Sequence, residues 1–310
     1  MQVVLILMEE IIELFLILLM GFAIVKSGKL QQKDSKAVSV ILVYLIVPCV
    51  IINAFQIDDT PHVREGLLFA LFIAVAAHFL FILFTALLRP VLKLDTIEQL
   101  TCIYTNAGIL VVPLIEVLLG DEYVVYSCAF IVVQLILLWT HCRQKLCKTE
   151  QFSWLNLLMN INILSIILGA ALFFFHIHIP ELLGNTLDLM GGMVGPVGML
   201  LAGMVIADTP LAEVFARPRN YVAVLLRLFC YPLILLVLFR IFSVAAFIED
   251  GKNILLTVYL ACITPACATV TSMAQLYRAN AARASLLYVL TTTCSLLSMP
   301  LMIELYELWI

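Results

Sequence analysis

Two long apolar segments of this chain are broken in the same manner at corresponding places. The first runs roughly from Ile97 to Leu119 and carries Thr105-Asn106-Ala107-Gly108 mid-span, then Pro113. The second runs roughly from Ile254 to Leu276 and carries Thr264-Pro265-Ala266 mid-span, then Thr269, Thr271 and Ser272. Unwinding at bilayer depth strips backbone groups of their partners, and lipid supplies none. Such a break persists only where protein or a watery cavity encloses it. One broken helix in each half of a membrane chain points to the substrate site of a secondary transporter.

Composition fits that class. Apolar residues make up 64% and charged residues 12%, against about 45–50% and 25% in soluble domains. The mean hydropathy of +1.13 leaves no room for a sizeable soluble domain. A net charge of −4 argues against nucleic acid or another polyanion as partner. The start of the chain carries the acids Glu9 and Glu10, with Glu13 inside the first apolar segment, rather than the basic stretch of a signal peptide, so that segment is expected to stay as a transmembrane helix. The nine cysteines lie mostly inside apolar runs, and Cys142 and Cys147 have no matching His pair. They suggest neither a disulfide framework nor a zinc site, so no metal and no cofactor are expected.

With about 20 apolar residues needed per span, ten spans are predicted, near 3–25, 37–57, 66–88, 97–119, 122–142, 154–175, 186–207, 220–243, 254–276 and 284–306. Their connections alternate in charge. One side receives Lys26, Lys29, Lys33 and Lys36, then Arg89 and Lys93, then Arg143, Lys145 and Lys148, then Arg217 and Arg219, then Arg278 and Arg283. The other side is acidic, with Asp58, Asp59, Glu65, Asp121, Glu122, Glu181, Glu249 and Asp250 around Arg64 and Lys252. The positive-inside rule then puts both termini on the non-cytoplasmic side of a cell (inner) membrane protein. Five spans per half make any duplication an inverted one, with residues 1–147 and 148–310 as the two repeats of a single membrane domain. Pro48 interrupts span two as Pro196 interrupts span seven.

Several stretches carry a family likeness. Span one ends Gly21-Phe22-Ala23-Ile24-Val25-Lys26-Ser27-Gly28-Lys29-Leu30, and span two reads Tyr44-Leu45-Ile46-Val47-Pro48-Cys49-Val50-Ile51-Ile52. Asn106-Ala107-Gly108 with Pro113 and Gly120, Gly192-x-x-Gly195-Pro196 with Gly203, Arg227 with Tyr231-Pro232, and Thr264-Pro265-Ala266 follow in order. Together they resemble the auxin efflux carrier family of membrane transport proteins, which includes the plant PIN carriers and bacterial malonate transporter-like proteins. The chain departs from the family at Leu110-Val111-Val112-Pro113, where Gly-Ile-Pro is common, and at Asn160-Ile161, where many members have Asn-Pro. The long loop of plant members between spans five and six is absent, as in a compact microbial type. The resemblance implies an all-α polytopic fold of ten helices in a 5+5 inverted repeat. Helices four and nine are broken and cross near the midplane, and a scaffold part meets a mobile transport part. It also implies a small organic anion as substrate.

The residues support the same chemistry independently. Beyond each break a second half-helix starts near the membrane centre, and each N-terminus is equivalent to about half a positive charge. Free N–H groups there hold a carboxylate without a buried lysine. The substrate-contact candidates are Asn106, Gly108, Thr105, Thr264, Pro265 and Thr269, with Asn53 and Gln134 from spans two and five. Asn106 either contacts substrate or satisfies the broken backbone, and both can hold. Threonines in transmembrane helices usually bond back to their own backbone, and the prolines act more on shape than by contact. Arg227 either serves the site or snorkels to the cytoplasmic face. His78, near the equivalent place in the other half, is a candidate proton carrier or a hydrogen-bonded core residue. Glu116 either binds a coupling proton or reaches water at the interface. Candidate partners are thus a small organic anion, the bilayer, a coupling proton or sodium ion, and a second copy in a homodimer. Two other functions compete with a carrier. An intramembrane enzyme would carry a His-Glu-x-x-His run, a nucleophile elbow or paired mid-membrane aspartates, and a membrane sensor would usually carry a soluble output domain.

Overall fold

The computed structural model describes residues 2–56, 60–147, 159, 161–207 and 215–310. Asp58, Asp59, Lys148 and Asn160 fall outside the described residues. Within them the protein is all-helical, and paired extended backbone occurs only as one isolated bridge. The helices are α1 (Gln2–Lys26), α2 (Gln32–Asn53), α3 (Pro61–Leu92), α4 (Thr96–Ile103), α5 (Ala107–Leu118), α6 (Val124–Leu146), α7 (Ile161–Phe174), α8 (Glu181–Val205), α9 (Asn220–Ile241), α10 (Gly251–Ile263), α11 (Ala268–Leu276) and α12 (Ala281–Trp309). Six of them are long and apolar enough to cross a membrane: α2, α3, α6, α8, α9 and α12. Helices α7 and α10 are shorter apolar helices.

Helix α3 shows why this is a membrane architecture. Its buried face carries Phe69, Ile73, Ala77, Phe81 and Thr85 at helical spacing. The opposite face is apolar too: Leu68, Phe72 and Phe79 are 68%, 66% and 63% exposed. A soluble surface seldom leaves such a stripe bare; in a bilayer it is the face that meets lipid.

Proline shapes several helices without ending them. It lacks an N–H, and its ring collides with the carbonyl four residues back. Helix α2 widens into a π turn over Leu42–Ile46 just before Pro48, and α9 does the same over Leu226–Cys230 before Pro232. In α8 a turn at Gly192 and Met193 precedes Pro196. The interruptions expected at Pro48 and Pro196 are therefore local adjustments of helices that continue. Among the described residues of the predicted spans, the two segments at 104–106 and 264–267 leave the helix altogether.

Among the described residues, the buried side chains form one large core and two smaller ones. The large core joins α3, α4, α5, α6, α9, α10 and α12 around Phe81, Tyr104, Phe130, Tyr231 and Tyr259. The larger of the other two is built mainly by α1, α2 and α8 around Leu18, Leu42, Ile46, Met199 and Val205. There α1 and α8 touch backbone to backbone: a Cβ on Gly203 would stand 1.9 Å from the Leu18 carbonyl oxygen, and one on Gly21 would stand 2.2 Å from that of Leu200.

Both ends of the large core are tied by polar groups. At one end, Asp95 and Glu98 form a capping box that starts α4. Glu98, 1% exposed, also receives Arg219 at 2.8 Å and Arg283 at 2.9 Å. At the other end the Tyr123 hydroxyl donates to Asp250, the residue before α10, and Asn253 donates to both. Donation to that carboxylate raises the Tyr123 pKa, because losing the phenol proton would put two anions side by side.

Candidate functional site

Helix α4 stops at Ile103 and α5 begins at Ala107; α10 stops at Ile263 and α11 begins at Ala268. The residues that follow the stops are extended, Tyr104 at φ −95°, ψ 130° and Thr264 at φ −63°, ψ 155°. For Thr264 the cause is local, since the ring of Pro265 disfavours helical geometry in the residue before it. The freed backbone groups of the two breaks satisfy one another. The Asn106 N–H donates to the Pro265 carbonyl at 2.8 Å, and the Cys267 N–H donates to the Tyr104 carbonyl at 3.1 Å. Thr105 and Ala266 thereby form an antiparallel bridge.

Side chains complete the junction. Gln134 of α6 accepts from the Thr105 N–H at 2.8 Å and its hydroxyl at 2.9 Å, and donates to the Thr105 carbonyl at 2.9 Å. The Ala266 N–H donates to the Thr291 hydroxyl of α12 at 3.2 Å. Arg227, fully buried, lies 5.1 Å from the centroid of the Phe81 ring. It donates to the carbonyls of Thr264 at 3.1 Å, Cys102 at 3.2 Å, and Cys262. Those carbonyls belong to the ends of α4 and α10, where helices leave acceptors without partners and carry about half a negative charge. Arg227 does not snorkel; one guanidinium neutralises and joins two helix C-termini. The π turn that contains it belongs to a class of distortion frequent at functional sites.

The opposite polarity faces a cavity. Helices α5 and α11 both begin without a side-chain cap. Asn106, Gly108, Gln134, Cys267 and Thr269 line a cavity of about 50 Å³, walled otherwise by apolar residues such as Leu42, Val47, Val50 and Val194. It lies where the large core meets α2 and α8. A few water molecules fill such a volume. The Asn106 amide is 2% exposed and makes one hydrogen bond among the described residues, to the Tyr288 hydroxyl at 3.5 Å. A Cβ on Gly108 would meet no heavy atom within 4 Å.

Four expected residues thus share the cavity: Asn106, Gly108, Gln134 and Thr269. Thr105, Thr264 and Pro265 sit in the junction and act through backbone, except for the Thr105 hydroxyl, which bonds Gln134, and the Thr264 hydroxyl, which bonds back to Ala261 at 3.0 Å. Asn53 is elsewhere, near the end of α2, donating to Asp188 of α8 at 3.4 Å. His78 is buried against Phe130 with its Nδ1 at 2.8 Å from the Ala74 carbonyl, and its Nε2 has no hydrogen bond among the described residues. Glu116 falls in the last turn of α5, with its side chain outside what is described. Sequence reasoning missed Cys267 in the lining, Tyr288 beside Asn106, and Thr291 beneath Ala266. Thr291-Thr292-Thr293, a polar run inside an apolar helix, was the available signal for the last.

A family model described as membrane transport protein matches residues 6–151 and 142–303. No curated protein matches the chain. With nearly its whole length matched, and in agreement with the motif resemblance, the chain belongs to the membrane transport protein family.

Proposed function

We propose that this protein is a secondary carrier that moves a small organic anion, such as a carboxylate, by alternating access. The substrate binds where α4–α5 crosses α10–α11. Ten spans make up the fold as a 5+5 inverted repeat: α1, α2, α3, α4–α5 and α6 within residues 1–147, then α7, α8, α9, α10–α11 and α12 within 148–310. The antiparallel sense of the Thr105–Ala266 bridge supports opposite entry of the two broken spans.

One observation carries the reading above the others. Two uncapped helix N-termini border a single cavity, while the C-termini of the paired half-helices are neutralised by Arg227. Two half-charges of like sign balance one carboxylate. Asn106 donates to the substrate, the Thr269 hydroxyl and the bare backbone at Gly108 refine its position, and Thr105, Gln134, Thr264 and Pro265 hold the junction in shape. Because the cavity lies between the large core and α2 with α8, sliding one body past the other opens it first to one side and then to the other. His78 and Glu116 are the groups to examine for a coupling proton, with sodium coupling and a homodimer as further parts of the proposal. The protein resides in the cell (inner) membrane with both termini on the non-cytoplasmic side.

Purified protein in proteoliposomes, offered a panel of radiolabelled organic acids and matched neutral and cationic solutes, tests the proposal. Protein-dependent movement of at least one acid is the expected result. Movement confined to neutral or cationic solutes overturns it.

A further inference from the structure

A second pocket lies one half-helix away from the crossing, at the end where α4 begins and α11 ends. Asp95, Thr96, Lys145, Tyr277, Arg278 and Arg283 contribute to its walls, which enclose about 520 Å³, within the range of small-ligand sites. The eight residues of α4 separate it from the unwound segment, about 12 Å at the helical rise. The two share no lining residue, and Glu98, paired with Arg219 and Arg283, sits at the pocket end of α4. The pocket is therefore separate from the substrate cavity, and nothing about it depends on which solute is carried.

Its charge is unbalanced. Arg283 is committed to Glu98, to Asn220 and, at 3.6 Å, to Asp95. Asp95 also accepts the Glu98 N–H at 2.8 Å. Lys145 and Arg278 have no ion pair among the described residues, which leaves two positive charges on the walls. Arg278 is held at φ 54°, a left-handed conformation that costs a non-glycine residue free energy. The turn that holds it is closed by Arg278 N–H to Gln275 carbonyl at 3.2 Å and Ala279 N–H to Ala274 carbonyl at 2.7 Å. Lys145 stands on the last turn of α6, which the Cys147 N–H closes by donating to the Arg143 carbonyl at 2.8 Å. Two fixed backbone positions thus present cations to one polar pocket at a helix-end layer rich in basic residues.

We infer that this pocket binds a phosphate oxyanion, supplied by an anionic phospholipid headgroup or by a free phosphate. A phosphate with a second ionisation near neutrality carries about −1.5 to −2 charges, close to the two uncommitted cations, and the phosphodiester of a lipid headgroup carries one negative charge; either accepts from several donors at once.

The test uses the purified full chain in neutral detergent and reads unfolding midpoint and apparent affinity. Inorganic phosphate is compared with chloride at matched ionic strength, and phosphatidylglycerol mixed micelles with phosphatidylcholine ones. At least one of the two probes is expected to raise the midpoint of the parent protein. A response to phosphate assigns a soluble source, and a response to phosphatidylglycerol alone assigns the lipid. Lys145→Gln and Arg278→Gln should each weaken the responding probe about tenfold, while Lys29→Gln, the same charge change on an exposed residue elsewhere, should leave it unchanged. Both pocket residues are partly or fully exposed, so the variants should match the parent midpoint without anion. No response to either probe, or an equal response in the Lys145→Gln/Arg278→Gln double variant, overturns the inference.

Discussion

At the scale of single residues, the geometry separates side chains that hold the junction from those free to meet a substrate. Asn106 ties the break together with its backbone N–H, and Gln134 does the rest through Thr105. The Asn106 amide itself has only the long contact to Tyr288, at 3.5 Å. Asn106→Ala should therefore keep the fold and weaken substrate binding. A net hydrogen bond to a charged group is worth about 1.5–3 kcal/mol, or roughly ten- to a hundredfold in affinity. Asn106→Asp should bind still more weakly, because its carboxylate repels an anion. Equilibrium binding to purified, folded variants checks that order, and Asp binding as tightly as Asn contradicts it. For Arg227 the expectation is different. Arg227→Ala leaves the carbonyls of Cys102, Cys262 and Thr264 without their donor, at about 1–3 kcal/mol for each buried group left unpaired. It should lower both the unfolding midpoint and transport, and Arg227→Lys should recover part of each, since an ammonium offers donors without the planar fork. Transport at parental rates in a reconstituted Ala variant would refute the clamp. The sequence marked Arg227 because a charge inside an apolar span stands out. It did not mark the partners, because they are backbone carbonyls, which carry no side-chain signature.

At the scale of elements, the two breaks were legible because Asn106 with Gly108, and Thr264 with Pro265, put poor helix formers inside otherwise apolar runs. The π turns before Pro48 and Pro232 were less so: proline signals a lost hydrogen bond, but not whether the helix will kink, stop or widen. The closeness of α1 and α8 was not legible: Gly21 and Gly203 stand in the stretches that carry the family likeness, with nothing to say which helix they face. Coordinates turn that into a prediction. Gly203→Ala places a methyl group against the Leu18 carbonyl oxygen and, at 2.7 Å, the Phe22 nitrogen. Backbone cannot rotate aside as a side chain can, so α1 and α8 must separate, at a cost of about 1–3 kcal/mol or more. Gly184→Ala, in the same span but with no atom within 4 Å of the new Cβ, should instead be neutral or gain up to about 1 kcal/mol from helix propensity. Thermal unfolding of the two variants in one detergent measures the contrast. Equal midpoints would mean that α1 and α8 do not touch as described.

At the scale of the whole molecule, the alternation of charge along the chain was readable because connections expose their charges, whereas the grouping of helices around separate cores was not. Spans apolar on every side do not reveal which face meets protein and which meets lipid. The described ends of the large core supply an independent check on the alternation. Arg219 reaches the carbonyls of Leu92 and Lys93 and meets Arg283 on Glu98, which brings three of the basic connections into one layer. Tyr123, Asp250 and Asn253 bring two of the acidic ones together. If the basic layer faces the cytoplasm, single cysteines at Lys29, Lys93 and Lys145 in a cysteine-depleted protein should stay unlabelled by an impermeant thiol reagent until sealed cells are opened. Cysteines at His62 and Phe247, in connections of the other set, should label in intact cells. The nine natural cysteines must go first, since Cys230 is exposed and four others are partly so. Labelling at Lys145 from outside would reverse the orientation. A mixture of accessible and protected sites within the basic set would break the ten-span count itself, because one missed or extra span inverts every connection after it.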